Sequence, residues 1–174
     1  MVGHHFVEEM AKNPNYQITV LSAESRLAYD RVHLSEYFGG KTADDLAMTS
    51  PEHYEALGVT FKTNAKVILI DKVVQYVTTE GGETYHYDKL ILATGSYPFV
   101  PPIPGKDQDH CLVYRTIDDL EDIAASAKES KVGVVIGGGL LGLEAANAIK
   151  QLGLETHVVE FAPQLMGVQI DGGG

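Results

Sequence analysis

The sequence predicts an α/β chain made of two strand–helix–strand units, both incomplete, with a β-meander inserted between them. Three observations carry this. An apolar run at 132–137 leads into Gly137-x-Gly139-x-x-Gly142, then an apolar helix, then a second short strand ending on Glu160. Residues 3–24 repeat the later half of that pattern, with Gly3, a helix, an apolar strand and Glu24. Between the two, the hydrophobic period changes from helical to alternating over residues 66–88.

Taken in order, residues 3–12 read as a helix, with Val2, Phe6 and Met10 at i,i+4 spacing and Asn13-Pro14 as its stop. A strand is expected over 16–22, with Glu24 just past it and a loop through Tyr29-Asp30-Arg31. A short helix is expected over 34–38, ended by Gly39-Gly40, and another over 51–57, with Pro51 at its first position and Gly58 after it. Alternation then marks strands at 66–71, 73–79 and 83–88, the last two joined by a turn at Glu80-Gly81-Gly82. Residues 89–94 read as a fully apolar strand ending at Ala93-Thr94-Gly95. The Pro-rich link from Pro98 to Pro104, with Gly105, is the expected domain boundary, dividing 1–104 from 105–174. An acidic amphipathic helix over 117–128 leads into the strand at 132–137.

The glycines of the late unit each have a physical task. Gly137 permits a tight turn off the strand, Gly139 lets the backbone approach a pyrophosphate without a Cβ in the way, and Gly142 allows close helix packing. The helix N-terminus offers free N–H groups to phosphates. Glu160 falls where an acid can hold both hydroxyls of an adenine ribose. Phe161-Ala162-Pro163 follows it, with no Arg or Lys to meet a 2′-phosphate, so NAD(H) is favoured over NADP(H). The chain opens in the middle of its first fingerprint, which is expected to lack its first strand and first two glycines.

Composition narrows the function. A formal net charge of −11 argues against nucleic acid and anionic membrane surfaces as partners. No apolar run reaches the roughly 18 residues of a membrane span. The N-terminus lacks a signal-peptide layout, so a cytoplasmic protein is expected. Cys111 is the one cysteine in the chain, which excludes a dithiol relay within it. It is expected to be a buried small apolar residue at the start of a short strand. The seven histidines show no ligand spacing, and no metal site is expected.

Two dinucleotide units separated by a meander and an Ala-Thr-Gly turn resemble the FAD-dependent pyridine nucleotide reductases, over essentially the whole chain. The likeness tightens at Ala28-Tyr29-Asp30-Arg31-Val32-His33-Leu34-Ser35, at Lys89 to Pro98, at Val113-Tyr114-Arg115-Thr116 and at Glu160-Phe161-Ala162-Pro163. Val32-His33-Leu34-Ser35-Glu36 departs from the Pro-Pro-Leu-Ser-Lys of ferredoxin and rubredoxin reductases. It resembles instead the branch whose members pass electrons on through iron–sulfur centres to sirohaem. Those cysteines are not in this chain, so both centres are expected only in another part of a longer protein.

The resemblance implies FAD and NAD(H) as cofactors and assigns roles. Gly3 would be the last glycine of the FAD fingerprint and Glu24 the ribose acid. Arg31 would lie near the FAD pyrophosphate, Val67 would offer its backbone to the adenine, and Thr94 and Gly95 would pass close to the flavin nucleotide. Glu144 lies near the nicotinamide in relatives, although an acid there also suits the helix dipole. No catalytic residue is assigned, because the cofactors carry the chemistry in this family. NADH, the remainder of a reductase polypeptide and a small subunit are the implied partners. The chain also stops before the segment that completes the FAD domain, so weak FAD binding and uncovered apolar sheet surface are expected. A fragment of a ferredoxin- or rubredoxin-type flavoreductase and a non-catalytic nucleotide-binding module remain as alternatives.

Overall fold

The computed structural model describes residues 1–167 and 169–171. They fall into two compact units, Met1–Asp30 with Leu46–Ser96, and Arg31–Asp45 with the chain from Tyr97 onward.

The first unit opens with α1 (Val2–Met10), which presents Val7 to the core. β1 (Thr19–Leu21) follows, shorter than the alternation suggests. The expected helix near 51 is α2 (Pro51–Ala56), capped by the Ser50 hydroxyl, which accepts the His53 N–H at 3.2 Å. Gly58 leaves the helix at φ +69°, a left-handed conformation that favours glycine. The chain then enters β2 (Thr60–Lys62), a strand the sequence reading did not expect, paired parallel to β1 with Val20 opposite Phe61. Three residues are too few for a visible period. Val7, Tyr54 and Val59 form the core here, with Ile18, Val20 and Phe61 packed on it. The Tyr54 and Phe61 rings stack at 5.3 Å between centroids.

The meander is three antiparallel strands, β3 (Val67–Asp71), β4 (Tyr76–Thr79) and β5 (Thr84–His86), in that order. β4 starts later than the expected residue 73 for a local reason. The Asp71 carboxylate accepts the N–H groups of Val73 and Val74, at 2.8 and 2.9 Å, and folds the chain into a turn that ends with Gln75 at φ +58°. Val77 and Thr79 are buried on one face of β4. Gly82 closes the second hairpin at φ +85°.

Two expectations fail. Residues 89–94 do not form a strand; among the described residues they have no ladder partner, and Leu90, Ile91 and Leu92 are exposed. Apolar composition marks a segment suited to a buried sheet, but a strand exists only where a neighbouring backbone supplies its hydrogen bonds. Cys111 likewise is exposed and outside any strand, its Sγ 3.5 Å from the Gly105 carbonyl oxygen. His110, in the left-handed region at φ +63°, turns the chain there instead.

In the second unit the expected short helix is a 3₁₀ turn over Leu34–Tyr37 that buries Leu34. α3 (Ile117–Ala127) begins with a complete capping box. The Thr116 hydroxyl accepts the Asp119 N–H at 3.1 Å, while the Asp119 carboxylate accepts the Thr116 N–H at 2.7 Å. Ile117 and Leu120 on this helix are fully buried. β6 (Val132–Ile136), α4 (Leu140–Gln151) and β7 (Glu155–Val159) then form a parallel strand–helix–strand unit, with Val132 opposite Glu155 and Ile136 opposite Val159. The apolar side chains of Val132, Val134 and Ile136 are exposed. No helix among the described residues is long and apolar enough to cross a membrane.

Leu120 is 0 % exposed, so Leu120→Ala should cost about 2–5 kcal/mol. Thr116→Ala should cost about 1 kcal/mol through the lost cap. Leu141→Ala, on an exposed side chain, should stay within about 0.5 kcal/mol. Urea unfolding followed by circular dichroism measures all three.

Candidate functional site

The loop between β6 and α4 is built from glycines that are needed for different reasons. Gly137 accepts φ +115°, and its N–H continues the sheet ladder to the Val159 carbonyl at 2.8 Å. Gly142 lies so close beneath it that a Cβ there would run into the Gly137 carbonyl. Gly139 is the N-cap of α4, in extended backbone, with no atom within 4 Å of where its Cβ would stand. Neither conformation nor packing inside the protein therefore requires glycine at 139.

Gly138, between them, is buried against the segment after β7. Its N–H donates to Glu160 Oε2 at 2.5 Å, its carbonyl accepts the Met166 N–H at 2.8 Å, and a Cβ on it would strike the Leu165 side chain. Glu160 Oε1 accepts the Ala162 N–H at 2.7 Å. Both carboxylate oxygens are thus held by backbone amides, those of Ala162 and Gly138, which keep the group below the ordinary glutamate range. The Phe161 amide adds a smaller pull in the same direction, and a carboxylate, with about four acceptor sites, is not exhausted by these amides. No side chain caps α4, which leaves the N–H groups of its first turn for another acceptor. These are the features an adenine dinucleotide needs: unshielded amides for its phosphates, a gap over Gly139, and a fixed acid for its ribose.

Glu144 lies further along α4 and is half-buried. Tyr114 stands near enough to feel its charge; burial first, and that charge second, push the phenol up to about 12. The Tyr114 hydroxyl is buried without a hydrogen-bond partner. Sequence reasoning used Tyr114 only as part of a four-residue likeness, and it missed the wrap of Leu165 and Met166 over Gly138. No spacing rule links either to the loop.

In the first unit, Gly3 lies in the first turn of α1, where a Cβ would come 3.4 Å from the Ala93 Cβ. The helix start thereby sits against the Ala93-Thr94-Gly95 turn, in which Gly95 adopts φ +69° and Thr94 is exposed. Helix α1, like α4, has no side-chain cap. Glu24 stands beyond β1, its Oε2 accepting the Tyr29 hydroxyl at 2.6 Å and its carbonyl the Asn64 N–H at 2.9 Å. Val67 opens β3, partly exposed, beside a register shift in the ladder. Gly3, Glu24, Val67, Thr94 and Gly95 share this unit. Arg31 belongs to the second, where its guanidinium donates to the Arg115 carbonyl at 3.3 Å. Among the described residues, no three His, Cys, Asp or Glu side chains are grouped to hold a metal ion.

The hydrogen bonds to Glu160 carry a pH signature. Its folded pKa lies below the unfolded value, so its contribution to stability is present above the ordinary glutamate range and is lost as pH falls through the folded value. A carboxyl ¹³C titration should place Glu160 below the exposed glutamates. Glu160→Ala should speed Gly138 amide exchange at least tenfold.

The chain matches the pyridine nucleotide-disulphide oxidoreductase family model over residues 2–171. It is 54% identical over 177 residues to the nitrite reductase [NAD(P)H] large subunit of Klebsiella oxytoca, an alignment that takes in 100% of this chain and 18% of that protein. The chain thus spans about a fifth of the length of this relative. Among solved structures, the NADH:rubredoxin oxidoreductase of Clostridium acetobutylicum superposes with a TM-score of 0.86 at 29% identity, over 97% of this chain and 45% of that one. The water-forming NADH oxidase of Lactobacillus brevis, bound to NADH, gives 0.81 at 31% identity, over 92% and 37%. With its glycine loop and its match to the family model over residues 2–171, the chain belongs to the pyridine nucleotide-disulphide oxidoreductase family.

Proposed function

We propose that this chain is the NADH-to-FAD electron-input portion of a nitrite reductase large subunit, with 105–174 contributing to an NAD(H)-binding domain and 1–104 to an FAD-binding domain. The observation that carries the reading is Gly139, a glycine whose missing side chain serves nothing within the protein and leaves room for a phosphate against the amides of α4. The 54% identity to a nitrite reductase large subunit supports the choice within the family.

NADH, when bound, supplies a hydride that a flavin can take up. The protein's own part is positioning. The amides of the first turn of α4 receive phosphate oxygens, with the helix dipole favouring the negative charge. Gly137 and Gly142 fix the turn that aims those amides. Glu160 accepts the two ribose hydroxyls while it keeps the Gly138 and Ala162 amides. The same fixed carboxylate repels a 2′-phosphate, so NADH is preferred over NADPH. Glu144 sits toward the nicotinamide, close to Tyr114.

For FAD, Gly3 allows close approach at the start of α1, Glu24 serves the ribose, Arg31 the pyrophosphate, the Val67 backbone the adenine, and Thr94 and Gly95 the flavin end. Electrons would leave through iron–sulfur centres to sirohaem, where nitrite becomes ammonium, in a part of the protein outside this chain. The remaining polypeptide and a small subunit are the proposed partners, in the cytoplasm.

Gly139→Ser separates the site from the scaffold. Serine is a good N-cap, so the melting temperature should hold or rise, whereas NADH binding followed by fluorescence should weaken at least tenfold. NADPH should bind the unaltered chain at least tenfold more weakly than NADH, and Glu160→Gln should narrow that gap. A Gly139→Ser chain that melts as before and binds NADH as before would remove the phosphate site from this loop.

A further inference from the structure

Helices α1 and α2 are joined by a chain of four polar side chains that the cofactor reading does not use. His4, on α1, is 7% exposed, and its Nδ1 lies 2.9 Å from the hydroxyl of Tyr54, itself 2% exposed on α2. The two rings meet edge-on at 5.8 Å. On its other side, His4 Nε2 faces Glu8 Oε1 at 3.6 Å, and the same carboxylate oxygen lies 3.0 Å from His53 Nε2 on α2. A buried tie (His4–Tyr54) and an outer tie (Glu8–His53) therefore bridge the same two helices.

We propose that these four side chains form a proton-sensitive clasp, which ties α1 to α2 while His4 is neutral and slackens when His4 is protonated. The bonding pattern of neutral His4 is complete. The tautomer with its proton on Nε2 points that N–H toward Glu8, and Nδ1 accepts the Tyr54 hydroxyl. A second proton must go to Nδ1, which then faces the phenol as a donor. The Tyr54 oxygen can accept it, but the phenol's own hydrogen loses its acceptor in a buried place.

The charged groups around His4 come from both helices. Glu8 favours the imidazolium, whereas His5 and the Met1 amino group on α1 and His53 on α2 oppose it. Burial outweighs them all and holds His4 below the ordinary histidine value, as it holds the Tyr54 phenol above its own. Glu8 is kept low chiefly by its bond to His53, so the outer tie persists well below neutrality. The inner tie is the one that responds. Since the folded value of His4 is the lower one, the stability it contributes is full above about 6.5 and is lost as pH falls through the folded value. Gly3 precedes His4 and rests against Ala93, so slack in the clasp reaches the start of α1 and the Ala93-Thr94-Gly95 turn. The clasp involves none of the residues proposed to hold a cofactor and operates whether or not FAD binds.

The test uses the whole chain labelled with ¹³C-histidine, titrated by NMR from pH 8 to pH 5, alongside amide exchange of α1 corrected for intrinsic rate. His4 should titrate below 6.5, and protection of the α1 amides should fall at least tenfold in step with it, while the amides of α4 hold within twofold. Tyr54→Phe should raise the His4 midpoint and flatten the pH dependence of α1 at least threefold. If that variant does not fold, the wild-type profile decides alone. His4 titrating at or above 6.5, or α1 protection unchanged within twofold across its titration, would overturn the clasp.

Discussion

The contact between Gly142 and the Gly137 carbonyl is the constraint on which the late unit depends. It places the first turn of α4 directly under the end of β6, closer than any side chain permits. Gly137 must then turn sharply at φ +115° to leave the strand, and the ladder to β7 is kept by its N–H on Val159. Because the turn is tight, the amides at the start of α4 emerge beside the last residue of β7 rather than beyond it. That is why Glu160, the residue after β7, reaches Gly138.

This arrangement sets two charges against each other. An uncapped helix start carries roughly half a positive charge, and Glu160 brings a negative one to the adjacent amide. The carboxylate satisfies Gly138 and Ala162, leaving the amides of α4 itself for a ligand. A dinucleotide bound as proposed would match both, with phosphates on the dipole side and hydroxyls on the acid side. Under the proposed function, a second phosphate on the ribose would meet the acid, whose ionised form is favoured by backbone donors, those of Ala162 and Gly138 foremost. On that proposal, selectivity between the two nicotinamide cofactors would rest on this carboxylate.

Much of this was legible in the sequence where local rules suffice. The Gly137–Gly142 spacing, the helix after it and the strand running up to Glu160 all follow from a single window, and so does the meander, whereas the Thr116 cap was not read from the sequence. What was not legible depends on partners distant in the chain. β2 exists because Ile18 to Leu21 offers an edge some forty residues earlier, and its three residues carry no pattern of their own. Residues 89–94 have the apolar run of a strand without, among the described residues, a ladder to join. Cys111 was assigned by residue preference to the interior, but the left-handed turn at His110 puts it outside. Nothing in the spacing of the histidines hinted that His4 turns inward to a tyrosine fifty residues away.

The two faces of β6 show why an apolar sequence and a buried residue are different things. Gly133 and Val135 face α4, where Ile149 rests so close to Gly133 that a Cβ would displace it. Val132, Val134 and Ile136 point the other way and are exposed. A sheet designed to meet water on one side alternates apolar and polar residues, whereas β6 is apolar on both sides, the composition of a parallel strand covered twice. In β7 only the last two residues, Val158 and Val159, are apolar, and both are exposed. The stability of the unit therefore comes from the face under α4 and from the helix-buried residues Ala146, Ala148, Ile117 and Leu120, while the opposite face holds apolar area, at about 25 cal/mol per Å², that the described residues leave in water.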